Sequence, residues 1–374
     1  MKFIKNIIHV IESVIANVYF GFPSRKLTVI GITGTDGKTT TANYTHSIFT
    51  AAGIHTGLIS TISAKFGDKE IDTGFHVTSP SGWNVQRILR EMVNEGITHV
   101  VLEVTSHAIS QHRFWGITFD VTALTNITPE HLDYHKNFES YKNTKLSFIQ
   151  VGRKQFMSDD CKDSLLEGVS INLVGDYNRS NARLAACIAN ALGISRQYIK
   201  QGVESLTQLS GRMETVHKGV FRVMVDFAHT PNALEHALTS ARKFVEGNGR
   251  LIVVFGSAGQ RDTSKRASMG STSSTYADIQ VITAEDPRSE HVIDICSQIA
   301  AGIESIGGKK DKTYYVEPDR FKAIEFAITK LAHQGDVVII TGKGHEKSMN
   351  LDGKTETPWS DQETVKTILK EATF

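Results

Sequence analysis

Residues 31–41 read GITGTDGKTTT and directly follow the apolar run from Leu27 to Ile30. A glycine-rich turn between a strand and a helix presents backbone N–H groups to phosphate oxygens, and an adjacent lysine neutralises their charge. The usual spacing of such a loop has a glycine where this chain has Ile32, so the loop is a variant of that pattern. The stretch therefore predicts an α/β domain that holds the phosphates of a nucleoside triphosphate.

The same alternation of a short apolar run and a polar loop recurs along the chain. We predict strands at residues 27–30, 99–103, 121–125, 221–226, 251–255, 279–283 and 337–341. Helical patterns lie between them, as in parallel sheets with crossover helices, and such sheets bind ligands beyond the carboxyl ends of their strands. The predicted fold class is α/β, with a P-loop ATPase-like parallel-sheet domain followed by a Rossmann-like domain.

Length and composition limit the organisation and the partners of the chain. Its 374 residues favour two domains. We expect an N-terminal helix over residues 1–24, a central ATP-binding domain over 25–210 and a C-terminal domain over 211–374. The formal net charge of +1 gives no general attraction to nucleic acid. The three cysteines, Cys161, Cys187 and Cys296, form no CxxC pair, which excludes a zinc ribbon and fits a reducing, cytoplasmic location.

The N-terminal segment has an amphipathic helical pattern. One stripe holds the apolar residues Ile4, Ile7, Ile8, Ile11, Val14, Ile15 and Val18. Polar residues interrupt the run too often for a membrane-spanning helix, and Pro23 should end it. Two interpretations remain open: the helix packs on its own domain, or it makes peripheral contact with a membrane.

The longer motifs occur in one characteristic order. They are GTDGKTTT (34–41), LEVTSHAISQHR (102–113), TNITPEHLDYHKNFESYKNTKLSF (125–148), VGDYNRSN (174–181), GRME (211–214), VDFAHTPNAL (225–234), FGSAGQRDTSKR (255–266), EDPRSE (285–290) and TGKGHE (341–346). In this order and spacing, the chain from about Leu27 onward resembles the Mur ligases, and among them the UDP-N-acetylmuramoyl-tripeptide synthetases. The resemblance implies an enzyme that phosphorylates a carboxylate with ATP and then lets an amine displace the phosphate to form an amide.

The resemblance also implies a catalytic and metal-binding set. Its members would be Lys38, Glu103, His131, Lys145, Asp226 and His229. Thr39 and Glu103 would hold one Mg²⁺ ion, and Glu103 with His131 would serve a second one. Lys145 matches the family lysine that carries a carbamate, because a lysine kept neutral among cations can take up CO₂ and become an anionic ligand. A charged ammonium would be repelled by the two metal ions.

Binding of the nucleotide and of the two substrates is assigned by the same resemblance. The nucleotide set is Gly34, Thr35, Asp36, Gly37, Lys38, Thr39, Thr40, Asn126, Asn178, Asn181 and Arg212. A muramoyl-peptide acceptor would contact Thr78, Ser79, Ser106, His107 and Arg113. A diamino acid donor would contact Arg261, Asp286, Arg288, Gly342 and Glu346 in the C-terminal domain.

The donor set favours meso-diaminopimelate over L-lysine. An arginine forks onto a carboxylate, and only diaminopimelate has a carboxylate at its distal end, so Arg288 is the deciding residue. Asp286 stands where the family has asparagine, and its negative charge weakens this inference. The loop also has Asp36 where the family has asparagine, and HVTSP (76–80) where NTTP is common.

Family members carry an N-terminal domain that binds the uridine nucleotide, whereas here the phosphate loop begins near residue 31. We therefore expect that this domain is lacking and keep several acceptors open. The first is UDP-MurNAc-L-Ala-D-Glu, and the alternatives are a lipid-linked muramoyl peptide and a pseudomurein precursor. The alternative from another class of protein is a structural partner that binds a nucleotide but has lost catalytic activity. We expect a monomer, although nothing in the sequence fixes the oligomeric state.

Overall fold

The computed structural model describes residues 2–61, 63–72 and 79–372. The chain separates into two compact units, Met1–Thr207 and Gln208–Phe374. Each unit has its own sheet and its own apolar core.

Seven strands form a single sheet in the described part of the first unit. They are β1 (Thr28–Thr33), β2 (Thr56–Ile59), β3 (Ser63–Phe66), β4 (Lys69–Asp72), β5 (His99–Glu103), β6 (Val121–Leu124) and β7 (Lys154–Met157). The spatial order is β4-β3-β2-β5-β1-β6-β7. From β2 to β7 the pairing is parallel, and β3 and β4 add an antiparallel edge. Because β1 pairs with parallel neighbours on both sides, its carboxyl end lies at the centre of the sheet edge, where ligands bind in such folds.

Helices cover this sheet. They are α1 (Lys2–Tyr19), α2 (Lys38–Ala51), α3 (Gly82–Asn94), α4 (Ser106–Ser110), α5 (Leu132–His135), α6 (Phe138–Ile149), α7 (Tyr177–Ala191) and α8 (Arg196–Ser205). Side chains at helix starts accept from free backbone N–H groups: Ser81 Oγ accepts from Asn84 N, and Asn137 Oδ1 accepts from Ser140 N. The core between layers is apolar, with Val29, Val100 and Leu102 fully buried.

The second unit has a six-stranded sheet and a small hairpin within residues 208–372. The strands are β8 (Glu214–Lys218), β9 (Arg222–Asp226), β10 (Leu251–Phe255), β11 (Ile279–Ile282), β12 (Tyr314–Val316), β13 (Val337–Thr341), and the hairpin pair β14 (Ser348–Asn350) and β15 (Glu356–Pro358). The sheet order is β12-β11-β10-β13-β9-β8, parallel except for β8. Its helices are α9 (Pro231–Arg242), α10 (Lys265–Tyr276), α11 (Val292–Glu304), α12 (Arg320–Phe326) and α13 (Asp361–Glu371).

The α/β class predicted from the sequence is confirmed, and all seven predicted strands are present. Their ends agree within three residues: the strand expected at 27–30 runs over Thr28–Thr33, and those at 99–103, 251–255 and 337–341 have the predicted bounds. The short edge strands β4 and β12, and β3 next to β4, were not predicted.

The N-terminal helix lies on its own unit and packs against α3. Its buried side is nevertheless the polar one, because Ser13 and Asn17 are fully buried while Ile8 and Ile15 are more than half exposed. An amphipathic helix on a globular domain ordinarily buries its apolar stripe. No helix in the described part of the chain is long and apolar enough to cross a bilayer.

Candidate active site

The phosphate loop lies between β1 and α2 and depends on two glycines. Gly34 and Gly37 have φ values of 151° and 79°, which side chains other than glycine rarely adopt. A Cβ at Gly34 would come within 1.7 Å of Thr125 Oγ1, and one at Gly37 within 2.2 Å of Asn181 Oδ1. The loop therefore wraps closely against its neighbours, and its backbone is available to an anion at the start of α2.

Hydrogen bonds from the chain beyond β6 hold this loop in shape. Asp36 N donates to Asn126 Oδ1 at 2.9 Å, and Thr125 Oγ1 donates to Asp36 O at 2.6 Å. Within the loop, Lys38 Nζ donates to Thr35 O at 2.7 Å. The structure thus brings the predicted nucleotide residues of the loop together with Asn126.

Asn178 and Asn181 reach the same loop from α7. Asn181 Nδ2 donates to Asn178 Oδ1 at 3.0 Å, and Thr41 Oγ1 donates to Asn181 Oδ1 at 3.4 Å. Both asparagines are buried. Asn181 therefore links α7 to the first turn of α2, in which Thr40 is also buried.

Glu103 ends β5 directly beside the start of α2. One oxygen, Oε2, accepts from Thr39 Oγ1 at 3.0 Å and from Thr61 N and Oγ1 at 3.1 and 3.2 Å. The carboxylate is buried, with 3% of the residue exposed. A carboxylate and a hydroxyl are hard oxygen donors, and Mg²⁺ is commonly held by one or two carboxylates together with substrate phosphates. Thr39 and Glu103 fit that donor set.

Lys145 is buried on α6 beneath the phosphate loop. Its Nζ donates to Gly34 O at 2.5 Å and lies 4.7 Å from the centre of the Tyr141 ring. Burial lowers the pKa of Lys145 well below its usual value, and the positive charge of Lys38 adds to that effect. This position therefore favours a neutral amine, which is the form that reacts with CO₂.

His131 lies in a cluster of aromatic rings and next to a carboxylate. Its ring centre is 4.7 Å from that of His107, and its Nε2 is 3.6 Å from Glu130 Oε2. The His107 ring also lies 4.2 Å from Tyr134 and 5.8 Å from His135. Across residues 2–61, 63–72 and 79–372, no three or more His, Cys, Asp or Glu side chains are grouped to hold a metal ion.

The acceptor residues partly coincide with the Glu103 site. Ser79 Oγ donates to Glu103 O at 3.1 Å, and the Arg113 guanidinium donates to Ser79 O. Ser106 is buried in the first turn of α4. Thr78, also predicted to contact the acceptor, lies outside the described residues.

In the second unit, Asp226 ends β9 and organises the loops around it. Its Oδ2 accepts from Met213 N at 2.7 Å and its Oδ1 from Ala228 N at 2.8 Å. Burial raises the pKa of Asp226, and the nearby Arg212 charge opposes that shift. The Arg212 guanidinium lies 4.7 Å from the centre of the Phe227 ring. The centres of the Phe227 and His229 rings are also 4.7 Å apart. The three predicted residues Arg212, Asp226 and His229 are thus neighbours.

The predicted donor residues Asp286, Arg288 and Glu346 meet around a lysine that the sequence did not single out. Lys343 Nζ donates to Asp286 Oδ1 at 2.8 Å and pairs with Glu346. Arg288 Nη2 lies 3.9 Å from Asp286 Oδ2. Burial raises the pKa of Glu346 to about 7, against the opposing effect of Lys343.

Gly342 and Arg261 complete the predicted donor set. Gly342 has φ 107°, and a Cβ there would come within 2.7 Å of Glu285 Oε2, so this turn requires glycine. Arg261 is half-buried in the loop after β10.

Sequence reasoning missed Thr61, Tyr141 and Lys343. Tyr141 precedes Lys145 by four residues on α6, and helical spacing places such residues on one face. That spacing was a usable signal. Thr61 has no such signal in the sequence, because its contact with Glu103 joins residues 42 positions apart. Lys343 stands in TGKGHE, but its full burial is a tertiary property.

Together, these features define a nucleotide-dependent α/β enzyme with a phosphate loop, an adjoining carboxylate and a second α/β unit. Residues 32–164 match the Mur ligase middle domain, and residues 211–344 match the Mur ligase glutamate ligase domain. The chain belongs to the Mur ligase family.

Relatives and solved structures agree with that membership. The chain is 36% identical to the UDP-N-acetylmuramoyl-L-alanyl-D-glutamate--2,6-diaminopimelate ligase 1 of Clostridium acetobutylicum, over 94% of this chain and 80% of that protein. It is 37% identical to the corresponding ligase of Aquifex aeolicus, over 95% of this chain and 80% of the relative. The bifunctional folylpolyglutamate synthase/dihydrofolate synthase of Yersinia pestis shares the fold, with a TM-score of 0.70 at 19% identity over 89% and 90% of the two chains.

Proposed function

We propose that this protein is an ATP-dependent ligase of peptidoglycan precursor synthesis that joins meso-diaminopimelate to UDP-MurNAc-L-Ala-D-Glu. The observation that carries the proposal is the convergence of Thr39, Glu103 and Lys145 on the phosphate loop. It occurs in a chain more than a third identical to ligases named for this reaction.

The reaction has two steps, and neither of them oxidises or reduces a substrate. An oxygen of the acceptor carboxylate attacks the γ-phosphorus of ATP, the bond to the β-phosphate oxygen breaks, and ADP leaves. The donor amine then attacks the acyl carbon, inorganic phosphate leaves, and the amine loses a proton. In the first step a negatively charged carboxylate approaches the negatively charged γ-phosphate. Catalysis therefore depends on positioning the two groups and on neutralising their charge.

The first unit supplies that neutralisation. Lys38 would pair with the terminal phosphates, while Thr39 and Glu103 would hold Mg²⁺ beside them. When bound there, Mg²⁺ would offset the negative charge of the phosphate oxygens. The predicted nucleotide contacts of Asn126 and Asn181 agree with their bonds to the loop and to α2. Glu103 with His131 would serve a second Mg²⁺ ion.

Lys145 would act as a carbamate. Its neutral Nζ attacks the carbon of CO₂, and loss of one proton leaves an N-carboxylate in place of an amine. The carbamate would carry a charge of −1, at a position where Lys38 contributes positive charge and Glu130, Asp36 and Glu103 contribute negative charge. The burial of Lys145 supports this step, because a solvated ammonium would not react.

The second unit would read the donor. The Arg288 guanidinium is suited to the distal carboxylate of diaminopimelate, which lysine lacks. Asp286 adds a negative charge where the family has asparagine, but the Lys343 ammonium pairs with that carboxylate at 2.8 Å. The added negative charge is thereby offset inside the protein. Glu346 would bind the ammonium of the donor, and Arg261 and Gly342 would shape its surroundings.

A substrate panel tests the whole proposal. Phosphate release would be followed with ATP and Mg²⁺, with each acceptor and each donor offered singly and in pairs. We expect release only with UDP-MurNAc-L-Ala-D-Glu and diaminopimelate together. Turnover that requires a lipid-linked or otherwise non-uridylylated acceptor would replace the acceptor assignment. Nucleotide binding without turnover on any pair would refute the ligase assignment.

A further inference from the structure

Helix α1 presents an apolar face to solvent. The exposed fractions are 43% for Ile7, 57% for Ile8, 52% for Ile11, 54% for Ile15 and 61% for Val18. At the helical repeat of 3.6 residues per turn, these five positions fall within about a third of the circumference. They form a continuous surface, which we call the isoleucine face, rather than scattered exposed residues.

The opposite side of α1 is small and polar and is held by specific contacts. Asn17 Nδ2 donates to Trp115 O at 2.6 Å, and Asn6 Nδ2 donates to Ser110 O at 3.1 Å. At Gly82, a Cβ would come within 2.2 Å of Ser13 Oγ, so the helices approach closely. Rotating α1 to hide the isoleucine face would break these hydrogen bonds and bury isoleucines where only Ser13 and Ala16 fit.

An exposed tyrosine ends helix α1, and exposed basic residues follow it in the chain. Tyr19 is 71% exposed and its ring lies 5.1 Å from that of Trp83. Arg25 and Lys26, which lie six and seven residues beyond the end of the helix, are exposed. Residues 1–26 contain four Lys or Arg residues, one histidine and a single acidic residue, Glu12. The Glu12 carboxylate accepts from Trp83 N at 3.2 Å, on the side of α1 that packs against α3.

The exposed apolar side chains, the tyrosine and the basic residues together favour one binding partner for the isoleucine face. We propose that the isoleucine face of α1 binds an anionic lipid bilayer, with the helix lying in the plane of the headgroups. Amphipathic helices with basic and aromatic flanks bind such surfaces. A second copy of the chain fits less well, because an 18-residue helix is about 27 Å long and about 10 Å wide. It would bury roughly 300 Å² per copy, against about 800 Å² per partner in stable interfaces.

Co-sedimentation of the full chain with vesicles tests the proposal without requiring turnover. The vesicles would contain either phosphatidylcholine alone or equal parts phosphatidylcholine and phosphatidylglycerol. We expect binding to the anionic vesicles that weakens at high salt. The double variant Ile11→Ser, Ile15→Ser should bind about ten-fold less, since it loses apolar area without a change of charge. Replacing Arg25 and Lys26 by Gln should weaken binding to the anionic vesicles alone, again by about ten-fold.

Ile293→Ser is the matched control, because Ile293 is 53% exposed on the second unit and should leave vesicle binding unchanged. Circular dichroism melts would show that each variant folds. The proposal is overturned if the wild-type chain sediments with neither kind of vesicle. It is also overturned if the Ile11→Ser, Ile15→Ser variant binds equally well. Light scattering that shows a concentration-dependent dimer, abolished by that variant and without vesicle binding, would assign the face to a second copy instead.

Discussion

Burial decides the chemistry that Lys145 can perform, and a truncation tests it. Lys145→Ala should lower ligase turnover by about 100-fold, the equivalent of about 2.7 kcal/mol of transition-state stabilisation. Millimolar acetate should restore part of the loss, because a short carboxylate can occupy the space of the carbamate. The measurement is phosphate release with and without acetate.

Lys142→Ala is the matched control for that experiment, since Lys142 lies on the same helix and is only half-buried. It should keep the wild-type rate, and acetate should not change it. A Lys145→Ala enzyme with unaltered turnover would remove Lys145 from the catalytic set. A wild-type enzyme whose rate is the same in CO₂-depleted and bicarbonate-supplemented buffer would contradict the carbamate.

The donor preference depends on one guanidinium. Arg288→Ala should raise the KM for meso-diaminopimelate by about ten- to 100-fold, which corresponds to losing a charge-assisted hydrogen bond of roughly 1.5–3 kcal/mol. The KM for L-lysine should change much less, because lysine has no distal carboxylate. Steady-state kinetics with each donor separates the two effects.

Arg242→Ala provides the comparison, because Arg242 pairs with Asp278 at 2.5 Å outside the predicted donor set. It should leave both KM values unchanged. An Arg288→Ala variant that damages both donors equally would make Arg288 structural, in keeping with its bond to Gly259 O. Asp286 would then be the better candidate to recognise a distal ammonium.

Single residues also show where sequence reasoning reached its limit. The residues around the phosphate loop could be predicted because Gly34, Gly37 and Lys38 act through local backbone geometry. The burial of Lys343 could not be predicted, because it involves a carboxylate from a distant segment of the chain. Its buried ammonium pairs with Glu346 in the same loop and with Asp286, which lies 57 positions away.

At the scale of elements, α6 positions Lys145 and begins at a capped turn. Asn137 Oδ1 accepts from Ser140 N at 2.8 Å, which satisfies one of the free N–H groups of the first turn. Asn137→Ala should therefore lower the free energy of unfolding by about 1 kcal/mol. For a unit of this size, the melting temperature should fall by about 3 °C. Chemical denaturation and thermal melts would measure both quantities.

Asn143→Ala, at an exposed interior position of the same helix, is the control. It should change stability by less than about 0.5 kcal/mol, because surface sites without a cap contribute little. Equal destabilisation by the two variants would show that the cap at Asn137 has no special effect. Since Lys145 lies two turns beyond Asn137 and the Asn143 side chain is exposed, neither substitution should alter the KM for ATP.

Elements differed in how well they could be predicted, for a physical reason. Central parallel strands such as β5, β10 and β13 are buried on both faces and therefore read as continuous apolar runs. The edge strands β4 and β12 are short, with KEID and YYV as their sequences, and take their conformation from pairing. Helix α1 could be predicted as a helix, but its orientation could not, since the contacts of Asn17 and Ser13 with other segments outweigh hydropathy.

At the scale of the whole molecule, each unit has its own sheet, core and predicted ligand. The class and the two-sheet organisation followed from strand and helix alternation, because hydrophobic periodicity is a local property. The approach of Ser79 to Glu103, or of Lys343 to Asp286, follows from the tertiary fold. Motif order was therefore the only sequence-level guide to which distant residues would meet.

Nucleotide binding should couple one loop to the stability of the protein. ATP with Mg²⁺ at about 100 times its Kd should stabilise the native state by about 2.7 kcal/mol and slow amide exchange across residues 34–41. Lys38→Ala should abolish both effects while leaving the ligand-free melting temperature unchanged, because Lys38 bonds to Thr35 O within the loop rather than packing in the core. Thermal melts and hydrogen exchange would measure this, with Lys142→Ala expected to behave as wild type. A Lys38→Ala chain that ATP still stabilises in full would place the phosphates elsewhere, since a loop that has lost its cation could not hold a triphosphate equally well.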